Sequence, residues 1–436
     1  MPRKVLIISP RFPPINAPDH QRVRMALPYL RQFGWEATVL AVRPDDVEGV
    51  QDPLLERSLP AGLPVERVRA LPARWIRLLG VGSLSFRAWR GLARAGRELL
   101  RRDRFDLVCF STTEFPLMAL GPRWRRNHGL PYVLDFHDPW VNDYYERHLE
   151  VRPPGGRIKH GFAQWLARRL ERKTLLGAAH VLCVSPAYPE MFLRRYQELR
   201  RGQFTTLPFG AAQADFDDLQ RLSVRQSSFD PEDGMLHWVY VGAVSPSMVM
   251  PARALFLALS RAADRAPELR SRLRIHFVGT NYAAGSRAQK IVEPVALDCG
   301  VADVVTEQPE RIPYFQALRC LCDAQALVVP GSDDPGYTAS KLYPYILARK
   351  PLLAIFHEAS SVVAVLRQTR AGILVTFDDQ PNLENLCEAI DHEWFQRWPV
   401  PAPQTNWQAF EPYTAREMTR HLCAVFDHVV AERTDQ

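Results

Sequence analysis

The sequence predicts an α/β protein of two Rossmann-like domains whose parallel sheets face each other across a cleft. Three observations predict it. Short apolar runs alternate with helical patterns through the whole chain, as parallel strands joined by helical crossovers require. That alternation fades between Arg201 and Gly234, in a polar, turn-rich stretch, and resumes at Leu236. The chain has 436 residues, too many for one ordinary core and about right for two domains of roughly 200 each.

In order, the first half offers strands at KVLIIS, EATVLAV, FDLVCF, YVLDF and HVLCVS, beginning at Lys4, Glu36, Phe105, Tyr132 and His180. The second half offers HWVYVGA, RIHFVG, ALVVP, LLAIF and GILVTF, beginning at His237, Arg274, Ala326, Leu352 and Gly372. A Pro-rich break, RWPVPAPQTNW, precedes a last helical pattern with Met418, Leu422, Val425 and Phe426 on one face. The expected organisation is a first Rossmann-like domain over residues 1–205, a linker over 206–235, a second Rossmann-like domain over 236–396, and a return segment with a final helix over 397–436.

Composition narrows the class. The first apolar run is too short for a signal peptide, and no stretch reaches the ~18 apolar residues of a membrane span. Seven scattered Cys show no paired CxxC spacing, which fits a reduced, cytoplasmic protein. The net charge is +7, unevenly placed: from Arg67 to Arg104 eleven Arg face only Glu98 and Asp103. Arg87, Arg90, Arg94, Arg97 and Arg101 recur at spacings of three and four and would share a helix stripe. With the neighbouring WIRLLGVGSLSF, residues 67–104 suit an anionic membrane surface on the inner face of the cell membrane. A solvated helix whose apolar stripe faces the core is the plainer reading. Nucleic acid is not expected, because no recognition motif accompanies the charge.

The candidate chemistry lies in loops after strands. Ala326 to Phe356 reads as strand, loop, helix and strand, and such a loop can hold a phosphate at a helix N-terminus. Asp333, Asp334, Ser340 and Lys341 lie there. Lys341 is one of only six Lys in the chain, although a solvated lysine at a helix start is the ordinary alternative. The loop after the first strand lacks GxGxxG, so no dinucleotide cofactor is expected on it. It does gather Asn16, Asp19, His20 and Arg22, where Asp19 either caps a helix or serves a site. At the end of YVLDF, Asp135, His137, Asp138 and Trp140 sit within six positions, and polar groups beside an aromatic suit a sugar or another polyol. A satisfied polar turn is the bland reading, and a metal site is the weaker one.

Together these segments resemble the group 1, or family 4-like, glycosyltransferases of GT-B fold. SPRFPP with RVRMALPYLRQFGWEATVLAV, DFHDPW, LERKTLLGAAHVLCVSP, TTLPFG, YVGAVS, the run from QPERIP to KPLLA, and WQAFEPYTAREMTRHL carry the likeness. The resemblance implies retaining, metal-independent sugar transfer from a nucleotide-diphosphate sugar to a glycan or lipid-linked acceptor in polysaccharide or glycolipid synthesis, with no cofactor. It implies catalytic roles for His137, Asp138 and Lys341, and an acceptor set of Asn16, Asp19, His20, Arg22 and Trp140. The implied donor set is Gly242, Arg311, Asp333, Asp334, Ser340, Lys341 and Glu358.

Three departures mark the chain. Between Pro335 and His357 there is no Glu, whereas the family often places a pair of Glu there. Pro344 takes one of those positions and predicts a late helix start, since proline disfavours helix at Tyr343. Ala243 and Ser245 stand where Arg and Lys are common, and Asn16, Ala17 and Pro18 replace paired glycines. A catalytically inactive partner-binding protein and a nucleotide-sugar epimerase or hydrolase are the alternatives on the same fold.

Overall fold

The computed structural model describes residues 2–72, 83–141, 157–281, 289–333 and 342–434. The chain divides into two compact units, Met1–Gly210 with Ala415–Gln436, and Ala211–Thr414. Each follows from its own strand pattern.

Among the described residues the first unit holds seven strands, β1 (Arg3–Ile8), β2 (Trp35–Val42), β3 (Val65–Val68), β4 (Leu107–Ser111), β5 (Tyr132–Phe136), β6 (His180–Cys183) and β7 (Phe204–Thr206). All neighbours pair in parallel, in the order β3-β2-β1-β4-β5-β6-β7. Alternation sends successive side chains to opposite faces. Leu6 and Ile8 join one core with Leu40, Phe110 and Leu134, while Val5 and Ile7 join another with Trp35, Val39 and Leu107. Burial on both faces explains why these strands read as continuous apolar runs. The final helix, Ala415–Thr434, adds Met418, Leu422, Cys423, Phe426 and Val429 to the second of those cores. Trp35 Nε1 donates to Asp427 there at 2.9 Å.

The helix Leu84–Arg102 covers the other face, burying Leu84, Ala88, Leu92 and Leu99. Gly96 admits the Trp124 ring, since a Cβ there would lie 2.4 Å from Trp124 Cζ2. Arg87 departs from the expected solvent stripe. It is buried, donating to the carbonyls of Leu71 at 2.7 Å and Asp46 at 2.6 Å; Arg90, Arg94 and Arg101 remain exposed. No helix among the described residues is long and apolar enough to cross a membrane.

The second unit holds β8 (Leu236–Val241), β9 (Leu273–Val278), β10 (Val305–Gln308), β11 (Ala326–Pro330), β12 (Leu352–His357) and β13 (Ile373–Phe377), parallel in the order β10-β9-β8-β11-β12-β13. Its bounds differ from those read in the sequence. The expected linker contains the helix Gln213–Arg221, which buries Phe216 and Leu219 in this unit, and Tyr314 Oη donates to its Asp215 at 2.7 Å. Its acidic residues mask the helical period in QADFDDLQRL. The stretch up to Thr414 also belongs to this unit.

Candidate active site

In a doubly wound sheet, ligands bind beyond the carboxyl ends of the strands where the strand order reverses. In the first unit that point lies between β1 and β4. The loop after β1 forms a short 3-10 turn, Pro18–His20, followed by the helix Gln21–Ala26. Asp19 is 2 % exposed and makes no side-chain cap to that helix. Its Oδ2 instead faces the hydroxyls of Thr112 and Thr113, both at 3.5 Å, just past β4. Burial pushes the Asp19 carboxyl above its ordinary value, against the pull of Arg11 and His137. Its Oδ1 has no hydrogen-bond partner among the described residues.

Next in the sheet, the end of β5 carries Asp135 and His137 on one side, as alternation demands. Asp135 is fully buried. Arg22 Nε donates to it at 3.0 Å, Ser111 Oγ donates to Oδ2 at 2.7 Å, and His137 Nε2 lies 2.7 Å from the same oxygen. Burial alone would raise the Asp135 carboxyl, but Arg22, His137 and Ser111 outweigh it and hold it down at about 2. His137 Nδ1 is buried with no partner among the described residues. The loop after β4 is fixed in turn by Glu114, which binds Arg11 at 2.6 Å and accepts from Ser85 N at 2.9 Å.

The site therefore sorts the sequence candidates. His20 and Arg22 are interior groups. His20 Nε2 bonds the Ile15 carbonyl at 2.8 Å, and burial drives its pKa down to about 3. Arg22 is 1 % exposed and also donates to the carbonyls of Leu207 at 2.6 Å and Pro208 at 3.1 Å. Arg22 braces Asp135 from within the fold, while His20 Nδ1 is buried without a hydrogen-bond partner among the described residues. Asn16 is half-buried, its N–H donating to Val50 O at 2.8 Å. Asp138 is exposed beside His137. Trp140 is half-buried and stacks on Phe115 at 6.0 Å, which itself stacks on Phe136 at 5.9 Å. Asp135, read in the sequence as one of a polar cluster facing a sugar, is instead the buried anchor of that cluster, and Ser111 was not among the candidates. A serine ending a strand looks like an ordinary strand residue until its neighbours are known.

The second unit repeats the logic between β8 and β11. Gly242 follows β8 at φ 146°, a conformation open to glycine, and its N–H donates to Val278 O at 2.8 Å. A hydroxyl chain crosses the switch point: Ser245 Oγ lies 2.7 Å from Ser247 Oγ, and Ser332 Oγ donates to Ser247 Oγ at 2.8 Å. Asp333 N donates to Ser247 O at 3.0 Å, leaving the Asp333 side chain exposed. Gly331 makes this approach possible, because a Cβ there would lie 2.6 Å from Ile355 O and 2.5 Å from Phe356 Cδ1. Glu358 is exposed just past β12, and Arg311 is exposed where its Cα comes 3.7 Å from a Cβ built on Gly279.

Asp334, Ser340 and Lys341 lie outside the described residues. The helix after them, Leu342–Leu347, already includes Tyr343 and Pro344, so proline does not delay it beyond Tyr343. Pro344 falls in the first turn, where its missing N–H costs no helix bond. From that helix Tyr345 Oη accepts from Val241 N at 2.7 Å and donates to Val241 O at 3.1 Å, binding it to the end of β8. Among the described residues no group of three or more His, Cys, Asp or Glu could hold a metal ion.

Solved structures share this architecture. Anabaena HepE in complex with UDP and glucose matches with TM-score 0.59 and 16 % identity, covering 98 % of this chain and 100 % of that one. A UDP-forming trehalose-phosphate synthase from Burkholderia xenovorans matches with TM-score 0.58 and 13 % identity, covering 98 % and 99 %. A putative UDP-N-acetylglucosamine 2-epimerase from Listeria monocytogenes matches with TM-score 0.52 and 13 % identity, covering 99 % and 98 %. No curated protein matches the sequence. The fold is thus that of the GT-B class, two parallel α/β sheets flanked by helices. Within it, residues 20–210 match the family described as Glycosyl transferase 4-like domain, and Arg22, Asp135 and His137 fall inside that match.

Proposed function

We propose that this chain is a retaining glycosyltransferase that moves a sugar from a nucleotide-diphosphate donor to a glycan or lipid-linked acceptor, without a bound metal. The observation that carries it is a set of buried side-chain atoms without a hydrogen-bond partner among the described residues, Asp19 Oδ1, His20 Nδ1 and His137 Nδ1, in the loops after β1 and β5, in a chain whose residues 20–210 match a glycosyl transferase 4-like domain. A buried polar atom without a partner costs about 1–3 kcal/mol, and sugar hydroxyls can satisfy it. HepE, on the same fold, binds UDP and glucose. In this reading Asp19, His137, Asp138 and Trp140 serve the sugar and acceptor. Gly242, Ser245 and Asp333, with Lys341, Ser340 and Asp334 from the sequence, serve the diphosphate donor. The anomeric bond to the diphosphate breaks, the bond to the acceptor oxygen forms on the same face, and the hydroxyl proton leaves with the diphosphate. Lys341 balances the charge that grows on that leaving group.

The protein would work in the cytoplasm against an anionic membrane face. Exposed Arg90, Arg94 and Arg101 support that placement, beside Phe86 and Leu71, which are 54 % and 53 % exposed. A thermal-shift panel of UDP, GDP, ADP, CMP and dTDP tests donor binding. A ligand at 100 times its Kd adds about 2.7 kcal/mol of stability, and no shift with any of them favours an inactive partner-binding protein. The epimerase reading has one observation behind it, the fold shared with the Listeria protein. It predicts an isomerised nucleotide sugar formed without an acceptor.

A further inference from the structure

The Arg22, Asp135 and Ser111 network does more than hold β5 in place. We infer that Asp135 is a positioning residue that fixes His137 as the Nε2-protonated tautomer, so that Nδ1 presents its lone pair to a hydroxyl of the bound sugar. This rests on the glycosyltransferase reading for the identity of the ligand, but the tautomer follows from contacts within the first unit.

His137 Nε2 lies 2.7 Å from Asp135 Oδ2 and 3.2 Å from Ser111 Oγ. Arg22 and Ser111 both donate to that carboxylate, so Asp135 can only accept from the ring. A neutral imidazole that gives its proton at Nε2 is bare at Nδ1. The ring cannot easily turn over to exchange the two nitrogens. Phe209 packs edge-on against it at 5.1 Å, and the same Phe209 lies under the Arg22 guanidinium at 4.8 Å. Arg22 in turn grips the chain just before Phe209 through the carbonyls of Leu207 and Pro208. One arginine thus sets both walls of the imidazole slot. The outcome is an acceptor atom, buried and without a hydrogen-bond partner among the described residues, aimed by residues whose polar atoms bind one another.

Nitrogen-15 NMR of histidine-labelled protein reads the tautomer directly, with His137→Gln identifying the resonance. Wild-type protein at pH 7.5 should show His137 with a protonated Nε2 and a bare, strongly downfield Nδ1. The opposite tautomer, or a rapid average of the two, overturns the inference whatever the enzyme's activity. Asp135→Asn should lose the fixed tautomer and lower kcat for sugar transfer at least tenfold, with the KM for the donor within about twofold of wild type. A folded Asp135→Asn protein with unchanged tautomer and turnover refutes the assignment. If Asp135→Asn does not fold, the wild-type spectrum and Ser111→Ala decide: Ser111→Ala keeps the Nε2-protonated form if Asp135 is the anchor and loses it if the serine is. Absence of sugar transfer in wild-type protein would count against the function alone, because the spectrum needs no substrate.

Discussion

Replacing Arg22 with Met removes the cation that compensates a fully buried carboxylate. Breaking such a pair by deleting one partner costs about 3–5 kcal/mol, because the other charge stays behind. Two further hydrogen bonds, to the Leu207 and Pro208 carbonyls, add about 1 kcal/mol each. The sign with pH is distinctive. In wild-type protein the Asp135 carboxyl sits at about 2 against an ordinary 3.8. Its contribution, about 2 kcal/mol, is therefore present above pH 3.8 and lost as pH falls toward 2. In Arg22→Met the largest influence that holds the carboxyl down is gone and its pKa moves up, so the stability of the variant relative to wild type falls as pH increases. Its deficit should be largest near pH 7 and shrink toward pH 4. Hydrogen exchange of peptides spanning residues 105–136 isolates the first unit. At pH 7 these costs together, about 5–7 kcal/mol, should lower protection between about 10³- and 10⁵-fold, at roughly 1.4 kcal/mol per tenfold. A loss below tenfold, or one that does not change between pH 7 and 4, would refute the compensated-carboxylate argument.

Other expectations are more compact. Lys341→Ala should reduce sugar transfer at least tenfold, about 1.4 kcal/mol of transition-state stabilisation, with an unchanged melting temperature; steady-state kinetics beside a thermal melt checks both. Gly331→Ala should destabilise the second unit by about 1–3 kcal/mol, since its Cβ would meet the Ile355 carbonyl and the Phe356 ring, and chemical denaturation measures it. The triple change Arg90→Glu, Arg94→Glu and Arg101→Glu should abolish co-sedimentation with phosphatidylglycerol vesicles without altering the fold; undiminished binding would move membrane contact elsewhere. Burial lowers the His276 pKa to about 4. Stability held by its neutral form is complete above about 6.5 and falls as pH drops toward 4, by about 1–2 kcal/mol at pH 5. His276→Asn should flatten that part of the pH profile of β9 amide protection.

The strands missing from the sequence reading share a position. Val65–Val68, Phe204–Thr206 and Val305–Gln308 are β3, β7 and β10, each at a sheet edge. An edge strand is covered less, so it can be short and polar, and its sequence carries little apolar signal. Central strands buried on both faces were plain to read for the opposite reason. The site was legible to the same degree. His137, Asp19, Arg22 and His20 all stand out in the sequence as polar groups in loops after strands, and all four prove to be buried; what sets Arg22 apart is that its guanidinium is bound to Asp135 and to the Leu207 and Pro208 carbonyls. Charge and spacing do not say which way a side chain turns once neighbouring strands arrive. Ser111 acquires its role only because the parallel register sets it against Asp135, a pairing between residues 24 positions apart.

The most direct test of the central claim is acceptor-dependent release of nucleoside diphosphate, using whichever donor shifts the melting temperature and an extract of lipid-linked glycans. Release should require the extract, be cut at least tenfold in both Lys341→Ala and His137→Ala, and leave labelled sugar on the acceptor in the donor's anomeric configuration. Donor consumption that is indifferent to the extract and yields free or isomerised sugar would contradict the claim.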